Sequence, residues 1–263
     1  MIDFIKKYEV WIFLILAPIS NTIFVYLRIL ELIPGRVYMY GRFLILLFLL
    51  IVIVKITKGN VGLKNIFKPM KKWHIPFKWY FFALIFAPSV ACLTLFLKAN
   101  YLGDFSIFKM NVSLINNFDF MFNIILWAFV GEVVWVSYAV RELSKVMNIL
   151  FASQIVGLTW GFWWAPIVWL NFGVIPDLPL WPMIINMMGA AGMCAYIYVQ
   201  TKSGICVWLL QCMLNTSIVL FQVAPTTGGI LTYKVFSILY FTVMLVFMYS
   251  LNRRKKIKTI NIN

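Results

Sequence analysis

Long apolar runs recur along the whole chain and limit its fold more than any other feature. Eight windows, near residues 10–30, 38–56, 78–97, 118–140, 149–170, 182–199, 204–222 and 233–251, are long and apolar enough to be read as membrane spans. A helix needs roughly 20 apolar residues to cross a bilayer core. In the hydrocarbon layer, backbone N–H and C=O groups can be satisfied only within a helix or a closed barrel. Runs of this length are helical, so the expected fold is all-α. It is a polytopic bundle of about eight transmembrane helices forming one membrane domain over residues 1–263. Composition agrees: 63% of the 263 residues are hydrophobic and 12% are charged, against about half and a quarter in soluble domains. The first run is too long for a signal peptide and no small-residue cleavage site follows it. The least regular windows are the first, with Pro18 and Asn21, and the sixth, with Gly189 and Gly192.

The formal net charge of +15 could suggest nucleic acid, but its distribution points to a membrane surface instead. With eight crossings both termini share a side. That side collects Lys6, Lys7, seven lysines between residues 55 and 78, Arg141, Lys145, Lys202 and the five basic residues of "RRKKIK", 17 of the 23 Lys and Arg. The other side holds Arg28, Arg36, Arg42, Lys98, Lys109 and Lys234. Basic excess in short loops marks the cytoplasmic face, so both termini are expected there, with the basic patches against anionic lipid headgroups. The Ile, Phe, Lys and Asn content points to a bacterial cell membrane. The 55–78 loop, expected to contain an interfacial helix, holds His74, the only histidine, which reads as a solvated loop residue. Cys92, Cys194, Cys206 and Cys212 fall inside spans and read as small apolar core residues rather than metal ligands or disulfides. "NVS" at 111–113 carries no weight as a glycosylation site in a bacterial protein. No internal repeat of the transporter kind is present.

A charged side chain deep in a span is a functional-site hypothesis by default. Glu132, in "ILWAFVGEVVWVSYAVREL", lies about eight residues from the cytoplasmic end of its span, and no deep charge in later spans faces it. Burial without a cation favours a neutral carboxyl unless polar groups solvate it. Gln211 and Asn215, four residues apart in "GICVWLLQCMLNTSIVL", share a helix face at similar depth. A Glu132–Gln211–Asn215 cluster is therefore expected, either as helix-to-helix hydrogen bonding or as a site.

Three segments in order resemble the signature of the CPBP family (CAAX prenyl protease and bacteriocin-processing, or Abi) of eight-span intramembrane proteases. "GEVVWVSYAVREL" resembles the motif Glu-Glu-x-x-x-Arg, with Glu132 matching, Val133 in place of the second Glu and Ser137 in place of Arg. "WGFWWAP" resembles the aromatic-x-x-x-His motif, with Trp160 retained and Trp164 in the histidine position. "QTKSGICVWLLQCMLN" resembles the His-x-x-x-Asn motif, with Gln211 replacing His and Asn215 retained. The likeness spans roughly residues 128–217, inside a family-like core of about 118–222.

The resemblance implies that the acid and the two imidazoles would activate water and stabilise an oxyanion or hold a metal. Both imidazoles are missing. An indole has one N–H donor and no lone pair for a proton or metal, and a primary amide shuttles no proton. The catalytic positions Glu132, Asn215 and Gln211 are thus expected to be vestigial, with no cofactor and no metal, and the Trp163–Trp164 pair is expected to fill the vacated space. A depth count sets Trp164 about 15 residues from the cytoplasmic end, roughly 10 Å deeper than Glu132 and Gln211. Three functions follow. The first is a non-catalytic family member acting in bacteriocin self-immunity, or as scaffold or regulator of a partner membrane or cell-wall enzyme, with a membrane protein or peptide as partner. The second is an atypical CAAX-protease-like endopeptidase using Glu132 with Asn215 and Gln211. The third is a small transporter with Glu132 as its ion site.

Overall fold

Each of the eight apolar windows corresponds to a helix, three of them running one or two residues past its end. The computed structural model describes residues 2–108, 110–111, 117–172 and 175–260, without the side chains of Ile2 and 252–260. Lys109, Val112 and Ser113 lie outside the described residues, as do the side chains of the "RRKKIK" segment. Among the described residues there are eight long helices: α1 Ile2–Ile29, α2 Gly35–Phe67, α3 Phe77–Leu102, α4 Phe118–Leu143, α5 Ile149–Trp169, α6 Leu180–Thr201, α7 Gly204–Leu220 and α8 Ile230–Ile260. No strand occurs among the described residues. Seven of the helices are long and apolar enough to span a membrane, so this is a multi-pass membrane protein. The eighth is α5, where Gln154, Pro166 and four tryptophans dilute the aliphatic content.

α4 is the central helix. Its second half touches α2, α5, α6 and α7, and every residue from Val130 to Val140 is buried. A helix apolar on all faces belongs in the interior, and "VGEVVWVSYAV" has that character. Around it α5 lies along α6, α6 along α8, α1 along α2 and α5, and α3 along α7 and α8. Helices in a bilayer approach closely where residues are small. At Gly157 on α5 an added Cβ would sit 2.5 Å from the Met188 Cα of α6, and at Gly161 it would sit 3.2 Å from the Ile184 Cα. On α6, Gly189 gives α8 the same access, with the Phe241 Cα 3.2 Å from an added Cβ.

The basic 55–78 segment is mostly helical. α2 breaks at Gly59, whose φ of +63° suits a residue without Cβ. It then resumes to Phe67 and passes into a 3₁₀ turn at Lys68–Lys71. Pro18 lies inside α1. Asn21, three residues after it, is fully buried and donates to the Trp163 carbonyl of α5.

Candidate functional site

Glu132 begins a nine-residue π-helical stretch, Glu132–Val140, within α4. Residues i and i+5 of an α-helix point about 140° apart, whereas the wider π winding stacks them. Ser137 thereby reaches back and donates its hydroxyl to Glu132 Oε1 at 2.6 Å. π segments are rare and recur at functional positions. The carboxyl is fully buried, its Oε2 has no hydrogen-bond partner, and it forms no ion pair among the described residues. Oε1 abuts the first turn of α7: a Cβ at Gly204 would lie 2.9 Å from it and 2.6 Å from Met70 Sδ. Met70 and Gly204 therefore close over the acid. Ser203, the N-cap of α7, accepts from the Cys206 N–H at 3.2 Å and donates to the Lys72 carbonyl, pinning the 68–72 turn against the same helix end.

Gln211 lies on the other flank of Gly131. Its Oε1 would be 2.7 Å from a Cβ at Gly131, and its Nε2 has no partner among the described residues. Asn215 follows one turn later and is half-buried. Gln211, Asn215 and Trp164 all line one cavity of about 140 Å³, together with Trp127, Trp135, Trp160 and Asn186, whose amide has no partner among the described residues. Trp135 and Trp160 stack at 5.9 Å within its wall. Glu132 does not line it. The structure thus brings Trp164, Gln211 and Asn215 together, while Glu132 faces Ser137 and Gly204 instead. The depth count along the sequence sets Trp164 apart from Glu132 and Gln211 alike; the structure keeps it from sharing a cavity with Glu132 but places it in one cavity with Gln211.

The Trp163–Trp164 pair has a partner that sequence reasoning missed. Arg42, read as a charge near a span end, is 1% exposed. Its guanidinium carbon lies 4.6 Å from the Trp164 ring, 4.9 Å from Phe43, 5.3 Å from Trp163 and 5.5 Å from Tyr38. Its Nε and Nη1 have no hydrogen-bond partner, and no carboxylate pairs with it among the described residues. Aromatic faces carry the negative end of a quadrupole and hold a desolvated cation. The indoles are therefore a cation cage as well as cavity wall. The local signal was Tyr38 four residues before Arg42, on one helix face, but the adjacency of α2 and α5 is not visible in a linear sequence.

At the basic end, Glu142 gathers Lys145 at 2.6 Å, Lys58 at 2.7 Å and Arg141 at 3.6 Å. Lys58 also pairs with Glu9 of α1, and Arg141 donates to the Asn65 carbonyl at 2.8 Å. His74 is exposed, its ring tilted by 51° against that of Trp73 with centroids 4.5 Å apart. No hydrogen bond joins it to Glu132 among the described residues. Among the described residues no group of three or more His, Cys, Asp or Glu is placed to hold a metal. In the comparisons with known proteins, no family model and no curated protein matches this chain.

Proposed function

We propose that this protein is a non-hydrolytic relative of the CPBP intramembrane proteases that acts by binding, in bacteriocin self-immunity or as a holder of a partner membrane or cell-wall enzyme. It sits in a bacterial cell membrane with both termini cytoplasmic. One observation carries the reading: the Glu132 carboxyl is closed in by Ser137, Met70 and Gly204 and lines neither principal cavity. General-base catalysis needs a base within hydrogen-bond reach of the reacting water. Here the acid is covered, and the two positions where the resemblance expects imidazole are Trp164 and Gln211. The orientation is supported by the basic residues gathered where α1, α2 and α4 meet.

The test is complementation of a deletion strain, scored by bacteriocin sensitivity and by the activity of cell-wall enzymes. Glu132→Ala and Glu132→Gln, at parental protein level, are expected to restore the phenotype as the parent does. Loss of function in both, at that level, would overturn the reading. In parallel, purified protein is incubated with membrane-anchored and prenylated peptides. No product is expected that disappears with Glu132→Gln, and such a product would establish the endopeptidase alternative.

A further inference from the structure

The basic end of the bundle contains a formed cavity of about 870 Å³, within the size range of small-molecule and cofactor sites. It lies between the end of α2, the Lys68–Lys71 turn, the end of α4 and the α6–α7 connection. Lys58, Lys68, Lys71, Lys72, Arg141, Lys145 and Lys202 line it, and Glu142 is the one carboxylate in its wall among the described residues. Glu142 and Glu9 already engage Lys58, Lys145 and Arg141. Lys68, Lys71 and Lys72 have no ion pair among the described residues. The cavity therefore holds several more positive charges than its own carboxylates offset.

A second, independent feature points into the same space. Tyr138, a wall residue, is fully buried, yet its hydroxyl has no hydrogen-bond partner among the described residues. A buried hydroxyl left unpaired costs free energy that a bound acceptor would recover. Three ammonium groups without an ion pair among the described residues, and an unpaired phenol O–H in the same cavity wall, form a donor set for oxygen anions carrying more than one charge. On the rim, Trp73 is 62% exposed, as suits a residue anchoring at a membrane–water boundary.

We infer that this cavity binds a group carrying two or more phosphate charges, with Lys68, Lys71 and Lys72 neutralising the phosphates and Tyr138 donating a hydrogen bond. Such a group is carried by a diphosphate lipid headgroup or by a free phosphorylated compound. The site is distinct from diffuse attraction of lysines to an anionic surface, because it uses a neutral buried donor as well as charge. It does not rest on the absence of hydrolysis, since Glu132 takes no part in it.

The experiment measures binding to the full-length protein in nanodiscs. One arm compares diphosphatidylglycerol with phosphatidylglycerol at equal lipid charge, and the other adds inorganic pyrophosphate to phosphatidylcholine discs. Binding is expected in at least one arm, and which arm responds identifies the source of the phosphates. Lys68→Gln, Lys71→Gln and Lys72→Gln combined should abolish it. Lys6→Gln, Lys7→Gln and Lys64→Gln combined, equal in charge but outside the wall, should leave affinity within about threefold. Tyr138→Phe, which changes no charge, should weaken binding about tenfold or more. Absence of binding in both arms, or equal losses from the two triple variants with none from Tyr138→Phe, would overturn the site.

Discussion

At the residue scale, two buried charged groups are held by opposite means, and each makes a measurable demand. Glu132 has one described hydrogen bond, from Ser137. Ser137→Ala leaves the carboxyl without that donor. Hydrogen bonds between membrane helices average about 0.6 kcal/mol, while leaving a buried polar group unsatisfied costs about 1–3 kcal/mol. A loss of about 1–2 kcal/mol is therefore expected, visible as a lower thermal midpoint in detergent. Glu132→Gln keeps an acceptor for Ser137 and should stay within about 1 kcal/mol of the parent. Arg42 gives the contrast. Arg42→Lys replaces a planar, weakly hydrated cation with a compact, strongly hydrated one, and should lose about 2 kcal/mol. Arg42→Met fills similar space without a buried charge and should be neutral or stabilising. A larger loss for Met than for Lys would mean that the guanidinium has a polar partner absent from its four-ring cage. Glu132 was legible as a site because a lone acid in an apolar run is visible in one dimension. Its bond to Ser137 was not, since residues five apart do not meet on an α-helix. Arg42 was hidden because its cage is assembled from two distant helices.

At the scale of elements, hydropathy located the spans closely but not the full helices. The window at 38–56 corresponds to a helix running to Phe67, because the lysine-rich continuation after Gly59 is helical without being apolar. Windows read from hydropathy mark what lipid can cover, and helices extend beyond that into polar ends. The sixth window, weak on account of Gly189 and Gly192, is a fully formed helix whose glycines admit α8. Glycine in a bilayer helix is thus evidence of close approach as much as of breakage. Two alanine substitutions separate the cases. At Gly157 the new Cβ meets the Met188 backbone, which cannot turn aside, so α5 and α6 must part, at a cost of about 1–3 kcal/mol. At Gly192 it meets the flexible Met244 side chain, which can move, and the better helix propensity of alanine offsets the strain. Gly192→Ala should fold within about 1 kcal/mol of the parent, and Gly157→Ala should unfold several degrees earlier. Equal midpoints would remove the claim that α5 and α6 touch at backbone distance.

For the molecule as a whole, the open quantity is whether the number of crossings is even, and α5 decides it. It is the one long helix not apolar enough by composition, yet it is flanked by helices that are. Its 21 residues rise about 31 Å, which matches a bilayer core of about 30 Å. Along that length it is tied to α6 through Gly157 and Gly161 and to α1 through the Asn21–Trp163 contact. Three of its four tryptophans, Trp160, Trp163 and Trp164, face Arg42 or the small cavity, so protein neighbours cover surface that lipid would otherwise meet, while Trp169 at the helix end is exposed. A crossing helix need not be uniformly apolar when other helices surround it. Eight crossings return the chain to the side where Glu9, Lys58 and Glu142 tie α1, α2 and α4 together. Fusions of an export-dependent phosphatase test this directly. After Gly103 and at Asp177 the enzyme should be active, whereas at Lys145, at Lys202 and beyond Leu251 it should be silent. A fluorescent protein active only in the cytoplasm should report the reverse pattern. An active phosphatase at Lys202 beside a silent one at Lys145 would mean that α5 and α6 cross only once between them, leaving seven crossings and a C-terminal segment on the face opposite the basic cluster.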